Sequence, residues 1–294
     1  MSQLTVRHVT VYRYSENVEL GEHRMMFRPR ESHDLRLLRS SLEITPNPTR
    51  IRWLHDAFDN SVAVATFDGS TAELRFDSSL TLEHFEYTPP EYPLEEYAKT
   101  YPFRYSDDEL PNLARALVNQ HPSDSLSRWV SQFLDPSGVT GTMCLLRSMT
   151  LGIRRDFHYT RRTEKGVHSP GETLTSRSGS CRDFAVLMIE ATRSLGLAAR
   201  FVSGYIYVPG LDSGLINGAG STHAWMQAYL PGAGWIDFDP TNSIVGNRNL
   251  IRVAVAWDQK QVLPLWGTYA GAASSFLGMD VAVSVRQDGS AAGQ

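Results

Sequence analysis

Residues 178–207 read SGSCRDFAVLMIEATRSLGLAARFVSGYIY. Phe184, Leu187, Met188, Ala191 and Leu195 recur at helical spacing and predict a helix with one apolar stripe. Ser178 and Ser180 are N-cap residue types, and Gly196 is a C-terminal stop. Cys181 therefore falls in the first helical turn, where backbone N–H groups lack partners inside the helix. Those groups favour an anion, so a thiolate gains there, and one N–H is available to a developing oxyanion. Ala199 to Tyr207, rich in β-branched and aromatic residues, predicts the strand that the helix feeds.

Working downstream, His-Ala-Trp-Met-Gln-Ala-Tyr-Leu from His223 predicts another strand. Pro231-Gly-Ala-Gly234 is a turn signal, and Trp235 to Phe238 is the partner strand, closed by Asp239-Pro240. In an antiparallel hairpin the start of one strand lies beside the end of the next. His223 and Asp239 thus become neighbours without long-range coincidence. A thiol, an imidazole and a carboxylate at the edges of regular elements are the parts of a cysteine nucleophile, its base and an orienting acid. Asp237, two residues before Asp239, points the same way from its strand, so spacing alone leaves the acid open between the two. Taken singly, each residue has an ordinary structural role: an inert core cysteine, a polar strand end, a turn aspartate. A metal site built from Cys181, His223 and Asp239 is a further reading.

GSCRDFAVLMIEATRSLGLAARFVSGY and STHAWMQAYLPGAGWIDFDPTN together resemble the core of the transglutaminase-like superfamily, in the bacterial form that carries an extra N-terminal β-rich domain. The resemblance implies Cys181 as nucleophile, His223 as base and Asp239, the acid ahead of the Pro-Thr turn, as third member. It extends to LTVRHVTVYRYSENV, to IRRDFHYT and GVHSPGETL ahead of the cysteine, and to NLIRVAVAWDQKQVLPLWGTYAG. In the last stretch Ala256-Trp257-Asp258-Gln259 departs from the Gly-Arg-Asp-Tyr type of run found in relatives. What it implies is an α+β protein: a papain-like core, with the helix carrying the nucleophile packed on an antiparallel sheet, behind an N-terminal antiparallel β-sandwich. The implied chemistry is acyl transfer at amides through a thiolate–imidazolium pair. Hydrolysis of a peptide or isopeptide bond leads, with transamidation to an amine or a non-catalytic peptide-binding module as alternatives. The expected partner is a peptide or protein, and no cofactor or metal is expected.

The 294 residues are 41% hydrophobic and 20% charged, enough for a sizeable core in one large or two ordinary domains. A net charge of −4 offers no electrostatic case for nucleic acid or an anionic membrane. No apolar run is long enough to span a bilayer, and the alternating N-terminus lacks a signal-type apolar stretch, so a cytoplasmic protein is expected. Two cysteines are too few for a disulfide framework, and Cys144, within an apolar helical run, is expected to be buried.

Residues 1–98 read as the β-rich domain: Thr5–Tyr14, Leu35–Ile44, Ser61–Phe67, Thr71–Phe76 and Leu80–Tyr87 are strand-like, with Asp-Gly-Ser and Asp-Ser-Ser as turns between the last three. The proline-rich run Thr88–Pro93 is the linker. Residues 99–294 form the remainder, with helices over 110–120, 125–134 and 140–157, the core motif at 171–243 and C-terminal strands within 250–286. Asp183 is expected to cap its helix or meet substrate, and Arg182 to bind a carboxylate or stay solvated. Trp225 is expected to shield the pair or pack in the core. His158 and His168 are loop residues that face the cleft or have no role. Gly210–Gly220 is a long loop or a lid, and residues 287–294 a loose tail.

Overall fold

The computed structural model describes residues 2–162, 166–209 and 220–287. The glycine-rich segment, apart from Gly220, and the tail beyond Gln287 lie outside the described residues. Five strands open the chain: β1 (Ser2–Met25), β2 (Leu35–Thr45), β3 (Arg50–His55), β4 (Ser61–Thr66) and β5 (Ser70–His84). All are antiparallel, in the order β2-β5-β1-β4-β3. The strand β1 is longer than the period-2 pattern predicted because it serves both halves of the sheet. Irregular register between Arg13 and Val18 marks the passage from one half to the other. The halves close as a sandwich over Tyr14, Val18, Met25, Ile44, Ala63, Ala65, Leu74 and Phe76.

The turn expected at Asp77-Ser78-Ser79 does not form. The strand β5 runs straight through it, with Phe76, Ser78, Leu80, Leu82 and His84 all buried on one face. Asp77 points outward, accepting from Arg7 at 3.0 and 2.7 Å and from Arg75 at 2.8 Å. Two guanidinium partners there outweigh a local turn preference.

The middle of the chain carries helices α1 (Leu110–Leu113), α2 (Asp124–Ser131), α3 (Thr142–Asp156), α4 (Pro170–Ser176) and α5 (Cys181–Ser194). The helix expected over 110–120 shortens to α1 and a 3-10 turn at Ala114–Leu117. Pro122 disfavours helix just ahead of it, and the N–H groups of Gln120 and His121 donate instead to Glu190 Oε2 at 2.6 and 3.0 Å. Short strands β6 (Thr100–Tyr101) and β7 (Thr140–Gly141) pair, as do β8 (His158–Tyr159) and β9 (Ser178–Gly179). A second antiparallel sheet contains β10 (Ala199–Ile206), β11 (His223–Leu230), β12 (Gly234–Asp239), β13 (Ile244–Val245) and β14 (Leu250–Ala256), in the order β13-β12-β11-β10-β14.

Helix α5 is the hub of the core. Phe184, Leu187, Met188 and Ala191 pack with Leu145, Leu146 and Met149 of α3 and with Ala224, Met226, Ala228 and Phe238 of the second sheet. Each fully buried large side chain contributes about 1.5–3 kcal/mol of hydrophobic stabilisation. Ala185 and Ile189 are buried too, so the helix is enclosed beyond its predicted stripe. Cys144 is exposed, contrary to expectation. Helix α3 aims Leu145, Leu146, Met149 and Ile153 at the core, and Cys144 falls outside that stripe.

The chain then returns to its start. Strands β15 (Leu265–Ala270) and β16 (Phe276–Gln287) both pair with β1. The first sheet is thus seven-stranded, completed by residues that the division at 98 grouped with the second part. The sheets meet where Leu4, Val6, Leu80 and Leu82 pack on Tyr205, Ile251 and Val253. The architecture is α+β: a helix on an antiparallel sheet, behind a β-sandwich.

A buried ion pair secures α5. Arg193 Nη1 donates to Glu190 Oε1 at 2.7 Å, and the other guanidinium nitrogens donate to the carbonyls of Ala116, Ala199 and Trp257 at 2.8–3.1 Å. Trp257 lies in the run that departs from the family pattern, and here its carbonyl is a structural acceptor. Removing one partner strands the other charge in the core, which costs about 3–5 kcal/mol. Arg193→Met is therefore expected to lower the unfolding free energy in urea by that amount.

Candidate active site

Cys181 is the first residue of α5, behind the N-cap Ser180. The helix start is organised by Asp183, whose Oδ2 accepts from the Ser180 N–H at 2.7 Å and the Ser180 hydroxyl at 2.8 Å. Oδ1 accepts from His168 N at 2.6 Å and from Arg162 Nη1 at 2.9 Å. Burial alone would raise the carboxyl pKa, but these donors hold it below the ordinary carboxylate range. Asp183 is thus consumed in positioning, and the His168 contribution to this contact is its backbone N–H. Gly179 is required for the close approach: a Cβ there would lie 2.9 Å from Asp183 Cβ and 3.2 Å from the Phe184 ring.

His223 opens β11 and Asp239 closes β12. Met226 pairs with Phe238 and Leu230 with Gly234. This register puts Asp239 diagonally across from His223 and Asp237 diagonally across from Trp225, all on one face. The ambiguity between the two aspartates is resolved by partner. His223 Nε2 donates to Asp239 Oδ2 at 2.8 Å, while Trp225 Nε1 donates to Asp237 Oδ1 at 2.6 Å. Asp239 also accepts from Thr241 N at 2.9 Å and from Asn242 Nδ2 at 2.9 Å. Three groups thus hold both its oxygens as acceptors. Trp225 is buried and stacked on His223, with ring centroids 5.8 Å apart, so it both packs and shields.

With Nε2 committed to Asp239, Nδ1 is the nitrogen left for the thiol. Nδ1 is buried and makes no regular hydrogen bond among the described residues. Burial would depress the imidazole pKa, but Asp239 and then Cys181 outweigh it and raise it. All three residues are buried, Cys181 the least, at 8% against 1% and 0%.

The three expected residues therefore converge. His158 is exposed. Arg182 is half-buried and makes no ion pair among the described residues. Two residues went unnoticed in the sequence. Asn242 was hidden because an amide just after a turn looks like any turn residue. Tyr159 lies on β8, in register with Gly179 of β9. Burial raises its phenol pKa to about 12, and the charge of Cys181 adds to that.

The raised His223 pKa has a sign that can be measured. The folded protein holds the proton more tightly than the unfolded chain, so the stabilisation is complete below the unfolded value of 6.5 and is lost as pH rises through the folded value. Wild type is expected to lose stability relative to Asp239→Asn between about pH 6.5 and about pH 10, read from urea unfolding at each pH.

Comparison with known proteins places these features. Residues 4–83 match the bacterial transglutaminase-like N-terminal region, and residues 133–240, which hold Cys181, His223 and Asp239, match the transglutaminase-like superfamily core. An uncharacterized protein of Mycobacterium leprae is 39% identical over 122 residues, spanning 41% of this chain and 42% of that protein. An uncharacterized protein of Mycobacterium bovis is 29% identical over 297 residues, spanning 95% of this chain and 91% of the relative. A solved structure from Cytophaga hutchinsonii, described as a candidate cysteine protease, aligns with a TM-score of 0.68 at 18% identity, covering 97% of this chain and 90% of that one. At that identity the likeness speaks to the fold. With both regions matched in order along one chain, the protein belongs to the transglutaminase-like superfamily, whose core is that of a cysteine-dependent enzyme.

Proposed function

We propose that the protein hydrolyses an amide bond of a peptide or isopeptide through an acyl-enzyme on Cys181. The observation that carries this reading is the orientation of His223: one ring nitrogen bonded to Asp239 at 2.8 Å, the other left for the thiol. Cys181 Sγ, as thiolate, attacks the carbonyl carbon. His223, as imidazolium, gives its proton to the departing amine as the C–N bond breaks, leaving a thioester. Water then attacks the thioester with His223 taking its proton, which releases the carboxylic acid and regenerates the thiol. Asp239 holds the ring and offsets its positive charge. The first-turn backbone N–H groups of α5 suit the developing oxyanion, and we assign the Tyr159 hydroxyl as a second donor.

Cys181→Ala is expected to abolish release of amine from peptide amides while the unfolding curve stays close to that of wild type; an active Cys181→Ala protein would refute the reading. Alkylation of Cys181 by iodoacetamide should be at least tenfold slower in His223→Ala than in wild type. A rate indifferent to His223 would mean that the pair is not assembled. Tyr159→Phe should lower kcat by about 10–100-fold with little change in KM. Product analysis with added primary amine separates the acceptors: free acid supports hydrolysis, whereas quantitative amide formation would replace it with transamidation.

A further inference from the structure

A cavity of about 470 Å³ is lined on one side by Arg30–Asp34, in the connection between β1 and β2, and on the other by Arg200, Trp235, Asp237 and Arg252 of the second sheet. Neither Cys181, His223 nor Asp239 lines it, so it is separate from the site above. Its volume suits a small molecule.

Most polar groups around it already have partners. Arg252 pairs with Asp34 at 3.1 Å. Asn60 is tied to the Val255 backbone and Asn247 to the backbone of Phe85 and Tyr87. Asp237 accepts the indole N–H of Trp225. Two groups remain. The Tyr92 hydroxyl is buried and has no hydrogen-bond partner among the described residues. Arg200 donates through Nε to Gln227 Oε1 at 2.8 Å and lies 4.1 Å over the Trp235 ring. Among the described residues its two terminal nitrogens make no hydrogen bond, and no carboxylate comes within ion-pair distance.

Arg200 is half-buried, and a partly desolvated guanidinium without an anion is costly. Burial disfavours the Arg200 charge, Arg252 adds repulsion, and only Asp237 opposes them. Asp237 is a weak counterion, since burial raises its own pKa. What the cavity lacks is an acceptor with two coplanar oxygens, the shape that matches a guanidinium fork. Trp235, Tyr92, Tyr87 and Phe58 supply an aromatic lining for the rest of such a molecule.

We propose that this cavity binds a small carboxylate, its oxygens paired with the terminal nitrogens of Arg200, its body against the aromatic lining, and the Tyr92 hydroxyl donating to it. The proposal does not involve Cys181, so its failure and that of the acyl-transfer reading are separate results.

The test is calorimetric titration of the full chain with sodium benzoate, with benzamide as neutral isostere and inorganic phosphate as competitor. The expected result is saturable one-to-one binding of benzoate, with benzamide and phosphate each at least about tenfold weaker. Arg200→Gln should weaken benzoate at least about tenfold and Tyr92→Phe severalfold. No saturable benzoate binding, equal binding of benzamide, tighter binding of phosphate, or unchanged affinity in Arg200→Gln would each overturn it. Should Arg200→Gln fail to fold, Tyr92→Phe and the isostere comparison on wild type decide: unchanged affinity in Tyr92→Phe together with equal benzamide binding overturns the proposal.

Discussion

The carboxylate of Asp183, fully buried at the start of α5, accepts hydrogen bonds from Ser180, His168 and Arg162 at once. A charge sealed from water must be satisfied by local donors, so the groups that satisfy it are held in place. They are the residue before Cys181 and two residues of the segment that leads to it. The position of the thiol thus follows from an electrostatic requirement two residues along, in the same helical turn. The same requirement explains Gly179, since a side chain there would meet Asp183 itself.

The second fixed element is the hairpin. A two-stranded register has no freedom to slide without turning every side chain to the other face. Ala224, Met226, Ala228 and Phe238 are committed to the core against α5. Their commitment forces His223, Trp225, Asp237 and Asp239 onto the opposite face as a ladder of two diagonal pairs. Gly204 on β10 admits this ladder: a Cβ there would collide with the Ile251 carbonyl and the Trp225 ring. Core packing and site geometry are therefore one constraint seen from two faces of one sheet.

The N-terminal sandwich is bound to the core by polar as well as apolar contacts. Asn60 and Asn247 bridge to backbone across the junction, and His8 meets the Tyr205 hydroxyl at 2.9 Å. Through β15 and β16 the end of the chain completes the sheet that its start begins. The sandwich covers the face of the second sheet that carries Asp237. A cavity with charged lining is left where the two surfaces do not fill the space between them.

Local chemistry made much of this legible beforehand. The apolar spacing after Cys181, the turn at Pro231–Gly234 and the alternation of the early strands specified α5, the hairpin and a β-rich first region, because each depends on neighbours a few residues away. The convergence of Cys181, His223 and Asp239 was readable for the same reason: each sits at an element boundary that the sequence marks. What escaped depends on distant partners. The strand β5 continues through Asp77 because Arg7 and Arg75 pair with it. Helix 110–120 yields to Glu190, and β15 exists only where β1 offers it an edge. Cys144 is exposed because the stripe of α3 is aimed by its packing on α5. By itself the sequence determined the elements and the three residues at their ends. Tertiary structure alone decided which aspartate meets the histidine, which polar groups stay unpaired, and how the chain's end joins its beginning, because hydrogen bonds and burial link residues that no sequence window contains together.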